Sequence, residues 1–125
     1  LREQLGLLSG PVEEFQKSAE AEHNAMLSML VDEGYLDASA LEDELANENE
    51  IIDALYRGLK GSPCKLMAAS IVDAVGEKRT QNQPGTSNEY PNWRIPLADG
   101  DGNVVPLEQL FDNTRLQEIA AIMRG

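Results

Sequence analysis

The sequence predicts a mainly α chain with one short strand and one hairpin. Three features carry that expectation. Apolar residues recur at helical spacing through the acidic stretch 11–60. Two Pro-containing β-type segments flank an Asp/Gly-rich turn at 98–103. The end of the chain returns to helical spacing after Pro106.

Taken in order, residues 1–62 form a helical segment. Residues 2–8 have weak helical character, ending near Ser9-Gly10. Pro11 suits the first turn of a new helix, where its missing N–H costs nothing. From there Phe15, Ala19, Met26 and Leu30 lie on one stripe, and Glu13 and Glu14 favour the positive end of the helix dipole. Gly34 is the expected stop. Asp37 is placed to cap a short second helix carrying Leu41 and Leu45. Asn47 or Asn49 is placed to cap a third, which carries Ile51, Ile52, Leu55 and Leu59 and ends at Gly61.

Residues 63–76 hold a short apolar run, Leu66 to Val72, which fits a buried strand or a buried helix equally well by pattern. Residues 77–94 are polar, aperiodic and marked by Pro84, Gly85 and Pro91, and so predict a long loop. Long loops without regular structure are usually functional or disordered, and Tyr90 and Trp93 point to an ordered one. Residues 95–106 predict a hairpin whose prolines confine it to edge positions. The spacing Asp99-x-Asp101-x-Asn103 resembles a calcium loop, but Val104 and Leu110 stand where such a loop needs Gly and Glu, so a plain turn is expected. Residues 107–125 predict two closing helices, with Asp112-Asn113 between them and Leu116, Ile119, Ala120 and Met123 facing inward. Thr114 with Gln117 has capping-box spacing.

Composition limits the function classes. The chain has 125 residues, 42% of them hydrophobic, enough for one core. A formal net charge of −12 disfavours nucleic acid and anionic membrane surfaces as partners, and is indifferent to a neutral sugar. No apolar run is long enough to span a membrane, and no secretory signal pattern opens the chain. The start at Leu1 fits a piece of a longer protein. The lone Cys64 admits no internal disulfide and suits a reducing cytoplasm. It reads as buried filler, and His23 as a packed or surface side chain without a partner. One His and one Cys make no zinc site of the usual kind, so neither a metal nor a cofactor is expected.

The loop QNQPGTSNEYPNWR, Gln81 to Arg94, carries the functional signal. Asn82 can donate to and accept from sugar hydroxyls. Gly85 after Pro84 permits close backbone approach. Tyr90 and Trp93 offer aromatic faces, and Arg79 and Arg94 can anchor loop carbonyls or carboxylates. By composition alone, an ordered loop pinned by aromatics accounts for this equally well.

The order of residues is more specific. Gly76-Glu77-x-Arg79-x-Gln81-Asn82-x-Pro84-Gly85-Thr86, followed by Glu89-Tyr90-Pro91-Asn92-Trp93-Arg94, resembles the C-terminal signature of the amylomaltase (4-alpha-glucanotransferase) family. Leu66 to Asp73 is similar to that family's last barrel strand, with Asp73 at its usual acidic residue. The helices of 11–60 and of 106–123 are similar to its flanking helices. Two positions depart from the family's pattern: Gln83 replaces an apolar residue, and Val72 replaces an acidic one.

The resemblance implies a C-terminal piece of a (β/α)₈ barrel whose sites lie in the loops after the strands. It implies Asn82, Pro84 and Gly85 as contacts to a malto-oligosaccharide or α-glucan, with Arg79, Tyr90, Trp93 and Arg94 holding the loop. It also implies retaining transglycosylation, in which an Asp attacks the anomeric carbon and a Glu protonates the leaving oxygen. Those catalytic carboxylates lie upstream in the family, so no catalytic residue is expected in this chain and the piece alone is expected to be inactive. Such a piece cannot close its own sheet, and self-association is open to it. The alternative reading is a helical interaction module that presents Met26/Leu30 or Leu55/Leu59 to a partner.

Overall fold

The structure is a computed structural model describing all of residues 1–125. Its regular structure is helical apart from one β-bridge, with five α-helices: α1 (Val12–Asp32), α2 (Glu48–Gly61), α3 (Ile71–Val75), α4 (Leu107–Phe111) and α5 (Thr114–Arg124). A 3₁₀ segment, Ala38–Asp43, joins α1 to α2. Helix α2 is the central strut, packing on α1 along one side and on α5 along another, while α3 also packs on α5.

The end of α1 follows from its glycine. Gly34 takes φ 74°, Gly34 N–H donates to Val31 O, and Tyr35 N–H donates to Leu30 O. That pair of bonds satisfies two otherwise orphaned carbonyls in a Schellman stop. Asp37 caps the next segment through the Ser39 N–H at 2.9 Å, as expected, but the turn it starts is 3₁₀ and leaves Leu45 88% exposed. Asn47 precedes α2 without capping it by its side chain. Its amide turns back to the Ala40 and Asp43 carbonyls and closes the 3₁₀ segment instead. Asn113, one residue before the expected Thr114, caps α5 through the Leu116 N–H at 2.8 Å.

Two apolar clusters form the core. Leu27, Leu30, Leu36, Ala40, Ile51 and Ala54 join α1, the 3₁₀ segment and α2. Tyr56, Ala74 and Ile119 join α2, α3 and α5. Polar ties reinforce the second cluster. Arg115 on α5 grips Asp53 on α2 with Nη2 to Oδ1 at 2.8 Å and Nη1 to Oδ2 at 3.3 Å, in the paired geometry that suits guanidinium and carboxylate. Lys60 Nζ donates to the Met123 and Arg124 carbonyls, placing a cation on the free carbonyls at the negative end of α5. Of the Met26/Leu30 and Leu55/Leu59 stripes, Leu30 is fully buried and Met26 packs partly buried against the first cluster, while Leu55 and Leu59 are partly buried and line a cavity of about 250 Å³ with Ile52, Tyr56 and Asp73.

The expected strand is absent. Residues 66–70 run without regular structure, Leu66 is 93% exposed, and Ile71–Val75 coil into α3. A strand needs a ladder partner for its backbone groups, and this chain offers none beside that run. Cys64 lies on the same uncovered stretch and is exposed, not buried filler. The expected hairpin shrinks to one antiparallel bridge, Ala98 with Val104, closed by Asp99 N–H to Asn103 O and Val105 N–H to Leu97 O. Inside it, Asp99 Oδ1 accepts from the Asp101 and Asn103 backbone N–H groups, the bonding of a plain turn. No helix is long and apolar enough to cross a membrane.

The contrast between Leu30, with no exposed surface, and Leu45 gives a direct check on where the core sits. In urea unfolding, Leu30→Ala should lower stability by about 2–5 kcal/mol, and Leu45→Ala by less than about 0.5 kcal/mol.

Candidate functional site

The long loop is built from its first residue. Gly76 ends α3 at φ 73°, and Glu77 N–H returns to Val72 O. The chain therefore leaves the helix with the Glu77 side chain turned inward, 1% exposed. Its Oε1 accepts from the Arg79 backbone N–H and Nε, both at 2.9 Å. Its Oε2 accepts from Arg79 Nη2 at 2.6 Å and from the Ala98 N–H at 3.0 Å. Arg79 Nη2 also donates to Pro96 O at 2.8 Å. One carboxylate thus joins the start of the loop to the turn that follows it. The Arg79 guanidinium and the backbone N–H donors hold the Glu77 carboxyl at about 2, far below the ordinary glutamate value.

The two arms of the loop are then laced together. Tyr90 OH donates to Thr80 O at 2.6 Å, and Trp93 N–H donates to Gln81 O at 2.8 Å. Asn92 makes the tightest knot. Its Oδ1 accepts from the Gln83 N–H at 2.7 Å, and its Nδ2 donates to Thr86 Oγ1 at 2.8 Å. Thr86 Oγ1 in turn donates to Gln83 O at 2.7 Å. Both polar ends of Asn92 are spent on the opposite arm, which fixes the turn Gln83-Pro84-Gly85-Thr86 from beneath. The loop's acidic side chains are also committed: Glu77 as above, and Glu89 to the Ser87 N–H at 2.7 Å.

The expected sugar contacts lie on the outer side of that turn. Asn82, Pro84 and Gly85 are exposed; the Asn82 carbonyl accepts from Thr80 Oγ1 and the Pro84 carbonyl from Gln83 Nε2, while the Asn82 side-chain amide makes no hydrogen bond within the chain. Gly85 takes φ 86°, and a Cβ there would lie 3.1 Å from Leu7 Cδ2. The N-terminal turn therefore packs under the loop, and any side chain at this position would be strained. Gln83 alone among its neighbours is buried. A cavity of about 620 Å³ opens beside the loop, bordered by Lys78, Thr80, Gln83, Tyr90, Pro91 and Ile95 together with Arg79. Asn82, Pro84 and Gly85 do not border it.

The four expected anchors divide. Arg79 and Tyr90 hold the loop with their side chains. Trp93 and Arg94 take part through the backbone alone, Arg94 N–H donating to Pro91 O at 3.1 Å. The Trp93 indole is 76% exposed and anchors nothing in this chain. Its φ of 58° is the chain's one left-handed backbone angle outside glycine. For a bulky residue that conformation costs about 1–2 kcal/mol and persists only where the surroundings impose it. Two further anchors, Glu77 and Asn92, were not assigned that role from the sequence. Both have ordinary residue types, and only the Glu77-x-Arg79 and Asn92-Trp93 positions within the motif hinted at them.

A second polar clasp sits at the base of the loop. Tyr56 OH donates to Asp73 Oδ2 at 2.5 Å and accepts from the Ser70 N–H at 2.9 Å. It ties α2 to the residues that open α3. Burial, and then the Asp73 carboxylate, push the Tyr56 hydroxyl above its usual titration range.

Comparison with known proteins places this geometry. The 4-alpha-glucanotransferase family model matches residues 9–101, which include the whole loop. The chain belongs to the 4-alpha-glucanotransferase family. It is 45% identical over all 125 residues to 4-alpha-glucanotransferases of Mycobacterium bovis and Mycobacterium tuberculosis, of which it covers 17%. It is 29% identical over 117 residues to the 4-alpha-glucanotransferase of Haemophilus influenzae, covering 16% of that protein. The crystal structure of amylomaltase from Corynebacterium glutamicum superposes with a TM-score of 0.81 and 32% identity, over 98% of this chain and 18% of that one. The chain therefore spans about a sixth of the length of these relatives. The matched residues include the whole laced loop, with Asn82, Pro84 and Gly85 exposed on its edge.

Two outcomes test the lacing. Because the folded Glu77 carboxyl titrates at about 2 and the unfolded one near 4.5, its stabilisation is complete above about pH 4.5 and is lost as the pH falls toward 2. Urea midpoints measured across that window should fall more steeply for the unaltered chain than for Glu77→Gln, and equal slopes would contradict the clasp. Asn92→Ala should cost about 1–3 kcal/mol by stranding the Gln83 N–H, and should raise amide exchange at Gln83 and Thr86 first.

Proposed function

We propose that this chain is the C-terminal part of a 4-alpha-glucanotransferase that moves α-1,4-glucan segments between malto-oligosaccharides, and that its loop forms part of the sugar cleft. The observation that carries the reading is the outer edge of the loop, where Asn82, Pro84 and Gly85 stand exposed on a backbone held by Glu77, Tyr90 and Asn92. A neutral amide with free donors and acceptors, next to close-approach backbone, suits hydroxyl groups and requires no charge from the ligand. The family's retaining chemistry then uses an Asp nucleophile and a Glu acid from other parts of the polypeptide. The acidic side chains at this loop are committed to holding it and supply neither.

In this reading the last barrel strand lies within residues 63–76 and pairs only when the remaining strands of a (β/α)₈ barrel are present. Without them the uncovered stretch is the surface through which copies of this chain would associate. The partner is an α-glucan, with neither nucleic acid nor membrane involved, and the setting is the cytoplasm, where Cys64 stays reduced. Against the helical-module alternative stands the burial of Leu30 in the core.

Incubation of the 125-residue chain with maltotriose should release no glucose. Release at an enzymatic rate would sink the claim that the reactive carboxylates lie elsewhere. In the longer polypeptide that carries this chain, Asn82→Ala should lower kcat/KM for maltotriose about fivefold, the loss expected for one hydrogen bond to a neutral ligand, with the melting temperature unchanged.

A further inference from the structure

We propose that Trp93 is a further substrate contact, an aromatic platform for the apolar CH face of a glucose ring, and not a loop anchor. The inference rests on the sugar-cleft reading of the loop and adds to it a residue that the lacing does not use.

Three observations converge on Trp93. It is the chain's only tryptophan, and its indole is 76% exposed although it is the largest side chain present. The polar groups just before it are spent internally, Asn92 on Gln83 and Thr86, and the Tyr90 hydroxyl on Thr80. The indole is thus the most exposed aromatic side chain of the loop. Its backbone is locked in the left-handed region at φ 58° by its own N–H to Gln81 O and by the Asn92 N–H to Tyr90 O, both at 2.8 Å. Backbone strain that surrounding bonds enforce at a functional loop is a mark of pre-organisation. Here it sets the direction in which the Trp93 side chain leaves the loop, outward into solvent.

The first of those bonds also sets the neighbourhood. Trp93 N–H meets the carbonyl of Gln81, the residue before Asn82, so the platform and the free amide rise from adjacent rungs of one laced turn. An aromatic face beside a neutral donor and acceptor is the pairing a pyranose takes: the ring's CH groups on the face, its hydroxyls on the amide. Of the charged side chains nearby, Glu89 is tied to Ser87 and Arg79 to Glu77, while Arg94 next to the indole is exposed and engaged only through its backbone.

The test is a kinetic comparison in the longer polypeptide, with maltotriose as substrate, of Trp93→Ala, Trp93→Tyr and Asn82→Ala. Trp93→Ala should raise KM about three- to tenfold with little change in kcat or melting temperature, and Trp93→Tyr should restore most of the loss because it keeps an aromatic face. If Asn82→Ala weakens the enzyme and Trp93→Ala does not, the platform is overturned and the cleft reading stands. If neither matters, both are overturned. If Trp93→Ala lowers the melting temperature and kcat together without rescue by tyrosine, the indole is covered by protein in the whole enzyme, and the proposal fails.

Discussion

A single carboxylate with almost no exposed surface, Glu77, decides the shape of the functional half of this chain. It receives the guanidinium and backbone N–H of Arg79 on one side and the Ala98 N–H on the other, so the start of the long loop and the turn beyond it cannot move independently. A buried carboxylate is costly unless its lone pairs are filled, and here four donor contacts fill them. The consequence reaches along the loop. With its ends fixed, the cross-bonds of Tyr90, Asn92 and Trp93 close at short range, and the Gln83–Thr86 turn acquires one defined position. Irregular backbone without a ladder can be this ordered only when side chains take over the bonds that a sheet would otherwise supply.

Helix α2 does for the frame what Glu77 does for the loop. One face buries Ile51 and Ala54 against α1, and the next buries Tyr56 against α3 and α5. The same helix supplies Asp53 to Arg115 and Lys60 to the end of α5. Tyr56 then passes the position of α2 to the base of the loop through Asp73 and Ser70. The chain of contacts therefore runs from the core, through one phenol, to the residues that lead into the site.

The exposed run around Leu66 completes the picture of a segment suited to a larger body. Leu66 and Ile71 are exposed, with no neighbouring strand within these 125 residues, while α1, α2, α3 and α5 pack on one another. The relatives of this chain are about six times its length.

The sequence by itself determined the helices with strong periodicity, the stop at Gly34, the Asp37 cap, the plain turn at Asp99 and the family, because each is written in local spacing or in a motif read in order. It also marked 77–94 as the loop of interest. What it could not decide were properties that depend on residues distant in the chain. Whether 63–76 is a strand turns on having a ladder partner. Whether Cys64 and Leu45 are buried turns on what packs over them. Which residues anchor the loop turns on which side chains reach across it. Glu77 and Asn92 are indistinguishable by type from the many other acids and amides here, and Trp93 looks like an anchor by type. Only the folded chain turns the first two inward and leaves the indole in solvent, because burial and hydrogen bonding are decided by neighbours and not by residue identity.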